Sequence, residues 1–465
     1  MAKPLLEPLI VSLDQAERLR VLHWLQCPLH NLRQDVIDLY QDLCQQLPPQ
    51  GDALTKVSNL YQDTNTRLLR SYLLDRMEDY LSWQEAQTRR AKQVVDISLL
   101  HAYRSRKLEQ HLNNRLRRQC KAAEQMKAFA TDELYDRYRL QEMVQESHLS
   151  HNRQLGEDFN APNDVLLRAQ TAALLRRAAH SMAGTRVNAE QPDIPMLAPY
   201  LSVVKTRPVM LEEPGIKVYY HLCRYYLPES PDDIISFSEL IEYIKHSLAG
   251  FPKSEQADIL KLTINQAIRR INIDPSDQHL QEALSLYQLG IDRGLLVEQR
   301  RISVFTFSNI IGIAIRLKES VFAREFLEEH ANFLPPKSAP EVLALNRARL
   351  AYANGQYDEA LLHLQKADYR DNLHLMNARD LQIRIYYENG DHEVLRDLIR
   401  ATRTLISRRK LGYHRKVYRN NLKLVKKLVN LRWDRPKNVA KFREEVLTTH
   451  PITEREWLLR QLDEH

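Results

Sequence analysis

Few residues in this chain stand at spacings that chemistry uses. His148 and His151 lie three apart, which puts two imidazoles on one helix face, but a metal site needs further ligands and none is signalled nearby. Cys27, Cys44, Cys120 and Cys223 are far apart, without zinc-finger or redox spacing, and read as reduced, mostly buried thiols of a cytosolic protein. Glu328 and Glu329, like Asp232 and Asp233, are adjacent carboxylates, and adjacent side chains on a helix diverge, so neither couple makes an acid–base pair. Dinucleotide, phosphate-loop, HExxH, GxSxG and calcium-loop patterns are missing. The expectation is a chain with no catalytic residue, no cofactor and no metal site. A site assembled from scattered residues would leave no such mark and stays open as a third reading.

Charge is more informative. Arg396 to Arg443 carries 17 Lys or Arg against 2 Asp, a local charge of +15, whereas the whole chain is +7 and the rest therefore sums to −8. In "RKVYRNNLKLVKKLVNLRWDRPK" the expected inward residues are Val417, Leu424, Leu428 and Leu431. Arg415, Lys416, Arg419, Lys423, Lys426 and Lys427 then form a basic outer face with its flanks. Such a face suits phosphates of RNA or DNA, or an acidic protein; it also suits a solvated helix that keeps the chain soluble.

The elements that must position these residues are helical. Only 11 of 465 residues are glycine, and good helix formers dominate, so the fold class is all-α. Five segments are expected: a helical head at 1–87, long charged helices at 88–183, a Pro-rich crossing at 184–215, a helical-hairpin array with basic C-terminal helices at 216–443, and a terminal helix at 444–465. In the head, Pro28 stops a helix and Asn31 is expected to cap the next one. A DNA-reading helix-turn-helix is weighed there, but the Pro-Pro loop and the lack of a basic recognition helix favour packing. In the second segment Val95, Leu99, Tyr103, Leu108 and Leu112 fall along one broad side. The crossing is either extended or helical between Pro199 and Arg207. Ser230 is expected to cap, and Pro231 to start, the helix that follows, and Tyr219, Tyr220, Tyr225 and Tyr226 to form a core face.

The array rests on one stretch, "ANGQYDEALLHLQKA". Gly355 is expected to take a positive φ between two helices, with Tyr357 packed at the turn and Ala360 and Ala367 on one face, small enough for a neighbouring helix to approach. Gly390 recurs 35 residues later with Leu395 in place of Ala360; Ala323 lies 37 residues before Ala360, and "DQHLQEALSLYQLGIDRGLL" is taken as an earlier pair. These spacings lie near the roughly 34-residue tetratricopeptide period. The first-helix Trp, Leu-Gly and Tyr signature is absent, so other helical-hairpin solenoids also fit.

From about Leu280 to Leu431 the chain resembles an uncharacterised family of bacterial cytosolic helical proteins with degenerate tetratricopeptide-like repeats. The residues that carry the resemblance are "SNIIGIAIRLKESVFAREFLEEHANFLPP", "YANGQYDEALLHLQKADYRDNLHLMNARDLQIRIYYENGDHEVLRDLIRATRTLISRRK" and "YRNNLKLVKKL", with a looser match at "CPLHNLRQDVIDLYQDL". It implies architecture and compartment, and no activity. The combined expectation is a cytoplasmic, non-enzymatic interaction module or scaffold whose partner is a protein, acidic or extended. The alternative is a nucleic-acid-binding protein using 396–443. A membrane role is not expected, since no stretch approaches the roughly 18 apolar residues of a span.

Overall fold

Helix-forming residues with little glycine give twenty-two α-helices and one two-stranded hairpin among the described residues of a computed structural model. The described residues are 5–47, 64–92, 95–151, 160–188, 193–227, 235–298, 300–412, 414–431 and 435–464. The chain forms two units. One comprises Met1–Met126 with Glu133–Leu166, the other Lys127–Asp132 with Leu167–His465.

In the first unit α1 (Leu6–Ser12), α2 (Gln15–Gln26), α3 (Gln34–Gln46) and α4 (Thr64–Lys92) close around Ile10, Val21, Leu25, Val36, Leu43, Leu73 and Met77. Asp14 and Glu17 start α2 with a reciprocal capping box. The buried Arg18 guanidinium then donates to the carbonyls of Ile10, Cys44 and Leu47 at 2.9, 3.0 and 2.7 Å, satisfying the ends of α1 and α3. Asn31 is not the helix cap the sequence suggests. Its buried amide bridges the carbonyls of Leu25 and Arg33, both at 2.9 Å, and fixes the connection instead, while Arg33 precedes α3 without a side-chain cap bond. The boundary expected at 87 falls inside α4. The charged segment beyond breaks into α5 (Ile97–Ser105) and α6 (Glu109–Glu124), because Lys107 takes a positive φ of 57°. Leu108 therefore leaves the expected apolar side and is exposed, while Val95, Leu100 and Leu116 pack with Leu140 and Met143 of α7 (Thr131–His151).

The second unit contains most of α8 (Ala161–Asn188), which runs past the expected start of the crossing. The Pro-rich stretch itself becomes α9 (Leu197–Thr206), a 3-10 turn at Pro208–Glu212 and α10 (Pro214–Tyr226), whose first residue is Pro214. Proline is tolerated in a first turn, where its missing N–H has no helical partner to lose. Tyr219 and Tyr220 are buried, and Tyr225 and Tyr226 half-buried. Tyr219 donates to the buried Glu255 at 3.0 Å, and burial raises the Glu255 carboxyl pKa. The expected Ser230–Pro231 helix start, Pro192 and Asp232–Asp233 lie outside the described residues. Ser236 caps α11 (Phe237–Ser247) in a capping box with Glu239.

α12 (Lys253–Ile273) and α13 (Asp277–Asp292) pack on each other. The expected earlier hairpin fails here. Gly294 leads into the two-residue strands β1 (Val297–Glu298) and β2 (Arg301–Ile302) rather than a second helix. Beyond it the helices pair: α14 (Val304–Arg316) with α15 (Ser320–His330), α16 (Ala339–Ala353) with α17 (Tyr357–Gln365), and α18 (Asn372–Glu388) with α19 (His392–Arg408). The first members also touch in series, α14 to α16 and α16 to α18. α20 (His414–Val429), α21 (Pro436–Thr448) and α22 (Arg455–Asp463) follow, and the boundary expected at 443 lies inside α21.

Candidate functional site

The three turns between paired helices share one hydrogen-bond circuit. At Gly355 the amide donates to Tyr352 O at 3.0 Å and the next amide to Ala351 O at 2.9 Å; at Gly390 the same bonds reach Tyr387 O and Tyr386 O at 3.1 and 3.0 Å. Both glycines have the left-handed φ that this circuit requires, 74° and 76°. Lys318 closes the same circuit with φ 62°, donating to Ile315 O, with Glu319 donating to Ala314 O. Five residues beyond each turn stand Ala323, Ala360 and Leu395, and nine beyond stand Leu327, Leu364 and Ile399; all six are buried. Ala367 is the exception among the expected packing residues. α17 stops at Gln365, so Ala367 lies beyond the helix, half-buried, and does not share the face of Ala360.

Polar side chains tie these turns together. Ser320 donates to Asn354 at 3.0 Å. Glu388, at the end of α18, receives Tyr352 at 2.6 Å and Tyr357 at 2.7 Å. It also receives the indole N–H of Trp457 on α22 at 2.7 Å, and Arg460 approaches it to 3.6 Å. Burial raises the Tyr352 phenol pKa, and the bond to Glu388 raises Tyr357 to about 12. The Gly355 and Gly390 turns and the C-terminal part of α22 border an open cleft of about 910 Å³ that includes Tyr357, Glu388 and Arg460. Sequence reasoning singled out both glycines and Tyr357. It missed Glu388 and Trp457, which lie 69 residues apart and have no motif to join them.

Beside this centre lies a second, more enclosed one. Asp380 accepts from Asn421 at 2.5 Å and faces Arg384 at 3.4 Å, which reaches Glu454 at 3.2 Å. Burial, then the Glu454 charge, raise the Asp380 pKa, against the pull of Arg384. Asp380 and Glu454 thus both face the Arg384 guanidinium. Neither borders the cleft.

Five of the six basic side chains expected on one face are exposed. Lys416, Arg419, Lys423, Lys426 and Lys427 are exposed on α20 and Arg415 is half-buried, donating to Arg409 O at 2.9 Å. Leu424 and Leu428 face inward with Tyr418, Asn421, Leu422 and Val425, whereas Val417 and Leu431 are only half-buried. Lys427 and Lys423 both bind Glu445 of α21, at 2.6 and 3.4 Å, and hold its carboxyl below the usual range. A charge count that stops at Arg443 misses this counter-ion. Lys416, Arg419 and Lys426 make no ion pair among the described residues, and Arg396 and Arg403 on α19 are exposed as well.

The four cysteines are unpaired thiols, Cys223 buried and the others half-buried. Among the described residues no group of three or more His, Cys, Asp or Glu is arranged to hold a metal, and the His148 and His151 side chains lie outside them. No described helix is long and apolar enough to cross a membrane. Comparison with known proteins finds no matching family model, no matching curated protein and no matching solved structure.

Proposed function

We propose that this chain is a non-enzymatic protein–protein interaction module built on a tetratricopeptide-like array of helical hairpins. The observation that carries the reading is the recurrence of one turn circuit at Lys318, Gly355 and Gly390, with the same buried positions after each and first helices packed in series. Stacked hairpins of this kind expose a continuous surface of first helices, and that surface holds helices or extended segments in repeat proteins. The cytoplasm is its compartment in this reading, since four unpaired thiols suit reducing surroundings. The test is affinity capture with the purified full chain, followed by cross-linking mass spectrometry. A stoichiometric protein cross-linked within 304–431 is expected; a chain that recovers no protein under any condition sinks the reading.

A second reading has its own observation. Lys416, Arg419 and Lys426 form an exposed basic stripe on α20, and Arg396 and Arg403 are exposed on α19, which packs on α20. In this reading the stripe binds RNA or DNA through phosphates, and affinity falls with salt by roughly 0.9 in log K per contact on duplex DNA. Gel-shift titration at two salt concentrations decides it: no shift at micromolar protein and low salt removes nucleic acid.

A further inference from the structure

The first unit carries an aromatic pocket between α2 and α4. Arg20, Trp24 and Cys27 recur at helical spacing on one side of α2, with His23 beside them, and Tyr80 and Trp83 lie three apart on α4. With His30, from the connection after α2, they border an open cleft of about 360 Å³. The rings are in mutual contact. His30 lies flat on Trp24 with centroids 3.4 Å apart, Trp24 meets Tyr80 edge-on at 5.8 Å, and Trp83 tilts toward Trp24 at 5.3 Å. Tyr80 is buried in the core of this unit, whereas Trp83 is 48% exposed. The connection also exposes Leu29 and Leu32, on either side of His30. An indole left open beside a concavity offers a stacking face, where a ring serving only the core would be covered.

Charge decides what stacks there. Arg20 is a permanent cation at the edge of the cleft, and no Asp or Glu borders it among the described residues. Arg20 donates from Nε to the Tyr80 hydroxyl at 3.3 Å. Its terminal nitrogens make no hydrogen bond or ion pair with the described residues, which leaves the planar fork open to a carboxylate or phosphate. Asp14 and Glu17, earlier on α2, are engaged with each other's backbone in the capping box. An ammonium ligand, the other usual guest of aromatic rings, is repelled by Arg20. The volume lies at the small end of ligand pockets and takes one ring system with one anionic group.

We infer that this cleft binds a planar aromatic anion, its ring stacked on Trp83 and its carboxylate or phosphate held by Arg20. Nucleotides and aromatic acids share that chemistry. The inference goes beyond the interaction-module reading and does not depend on it, because α2 and α4 belong to the unit without the hairpin array.

The test is a ligand-observed NMR titration of the full chain with two planar anions, adenosine monophosphate and naphthoate. The controls are naphthylmethylammonium, which keeps the ring and reverses the charge, and cyclohexanecarboxylate, which keeps the charge and loses the flat ring. Saturable binding of a planar anion is expected; naphthoate alone identifies a carboxylate ligand, and adenosine monophosphate alone a nucleotide. Trp83→Ala and Arg20→Ala, both at exposed positions, are each expected to weaken that binding about tenfold or more. Trp83→Phe keeps a ring, and Arg20→Lys keeps the charge without the fork, so each is expected to fall between native and alanine. Circular dichroism confirms helical content for each variant, and the two conservative variants carry the test where an alanine fails to fold. The inference is overturned if neither planar anion binds at millimolar concentration, or if either control binds as tightly as naphthoate. A folded Trp83→Ala or Arg20→Ala chain with native affinity overturns it as well.

Discussion

Glu388→Ala strikes the centre where two hairpins and α22 meet, and its cost follows from the bonds it leaves open. Glu388 receives three donors, from Tyr352, Tyr357 and Trp457. Trp457 is only 4% exposed, so its N–H finds no water when the carboxylate goes. Tyr352 and Tyr357 are both half-buried, but burial dominates at Tyr352 and the Glu388 bond at Tyr357, which rehydrates more readily. Stranding a buried donor costs about 1–3 kcal/mol, so two such donors give about 2–6 kcal/mol with little from Tyr357. Loss of the Arg460 approach adds little, because that arginine is more than half exposed. Urea melts of the full chain, together with hydrogen exchange of α22 amides, measure the effect. Faster exchange is expected in α22 first, with Glu388→Gln, which keeps an acceptor, falling between the two. If Glu388→Ala shifts stability by less than about 0.5 kcal/mol, the size of an ordinary surface change, the donors are not held by this carboxylate and the reasoning fails.

Further outcomes follow from the same geometry. An added Cβ at Gly355 meets nothing within 4 Å, so Gly355→Val carries backbone strain alone and should cost about 1–3 kcal/mol by thermal melt, while Lys318→Gly should gain up to about 1 kcal/mol. Ala360→Leu should cost about 1–3 kcal/mol by overpacking the fully buried contact, whereas Ala367→Leu should stay within about 0.5 kcal/mol. Because the folded Asp380 pKa is raised, the native state binds more protons than the unfolded chain from roughly pH 4 upward, and stability falls as pH rises toward neutrality. Asp380→Asn should flatten that slope in melts taken across pH 4–8. Reversing Lys416, Arg419 and Lys426 to Glu should leave the fold intact and abolish any gel shift, whereas reversing Lys423 and Lys427 should also destabilise, since both hold Glu445.

What the sequence discloses is local. Gly355 and Gly390 mark their turns because glycine alone takes a left-handed φ without strain, and Ala360 follows at a fixed offset. Lys318 hides the preceding turn, because a lysine at that angle has no sequence signature and its strain is carried by the surrounding circuit. Ala367 fails because helical arithmetic is valid only inside a helix, and α17 ends two residues earlier at Gln365. The break at Lys107 is illegible because it again uses a non-glycine left-handed residue, whereas in the Pro-rich stretch the helix between Pro199 and Arg207, one of the two forms the sequence allows, is present as α9. The Glu388 centre was beyond sequence reading altogether, since its donors come from α16, α17 and α22 and only folding brings them together. The basic face was legible as a stripe, but its neutralisation by Glu445 comes from a helix that follows it.

The side-chain ties between turns also have a mechanical meaning. Ser320 to Asn354, then Tyr352 and Tyr357 to Glu388, then Glu388 to Trp457 form a seam of short rungs along one edge of the stack. Hydrogen bonds stretch little before they break, while apolar contacts slide. A stack sewn along its turns therefore bends by opening the edge away from them, as a book opens from its spine. A pull on α22 loads Glu388 first and travels rung by rung toward Lys318, so the direction of easiest flexing is set by where the turns lie.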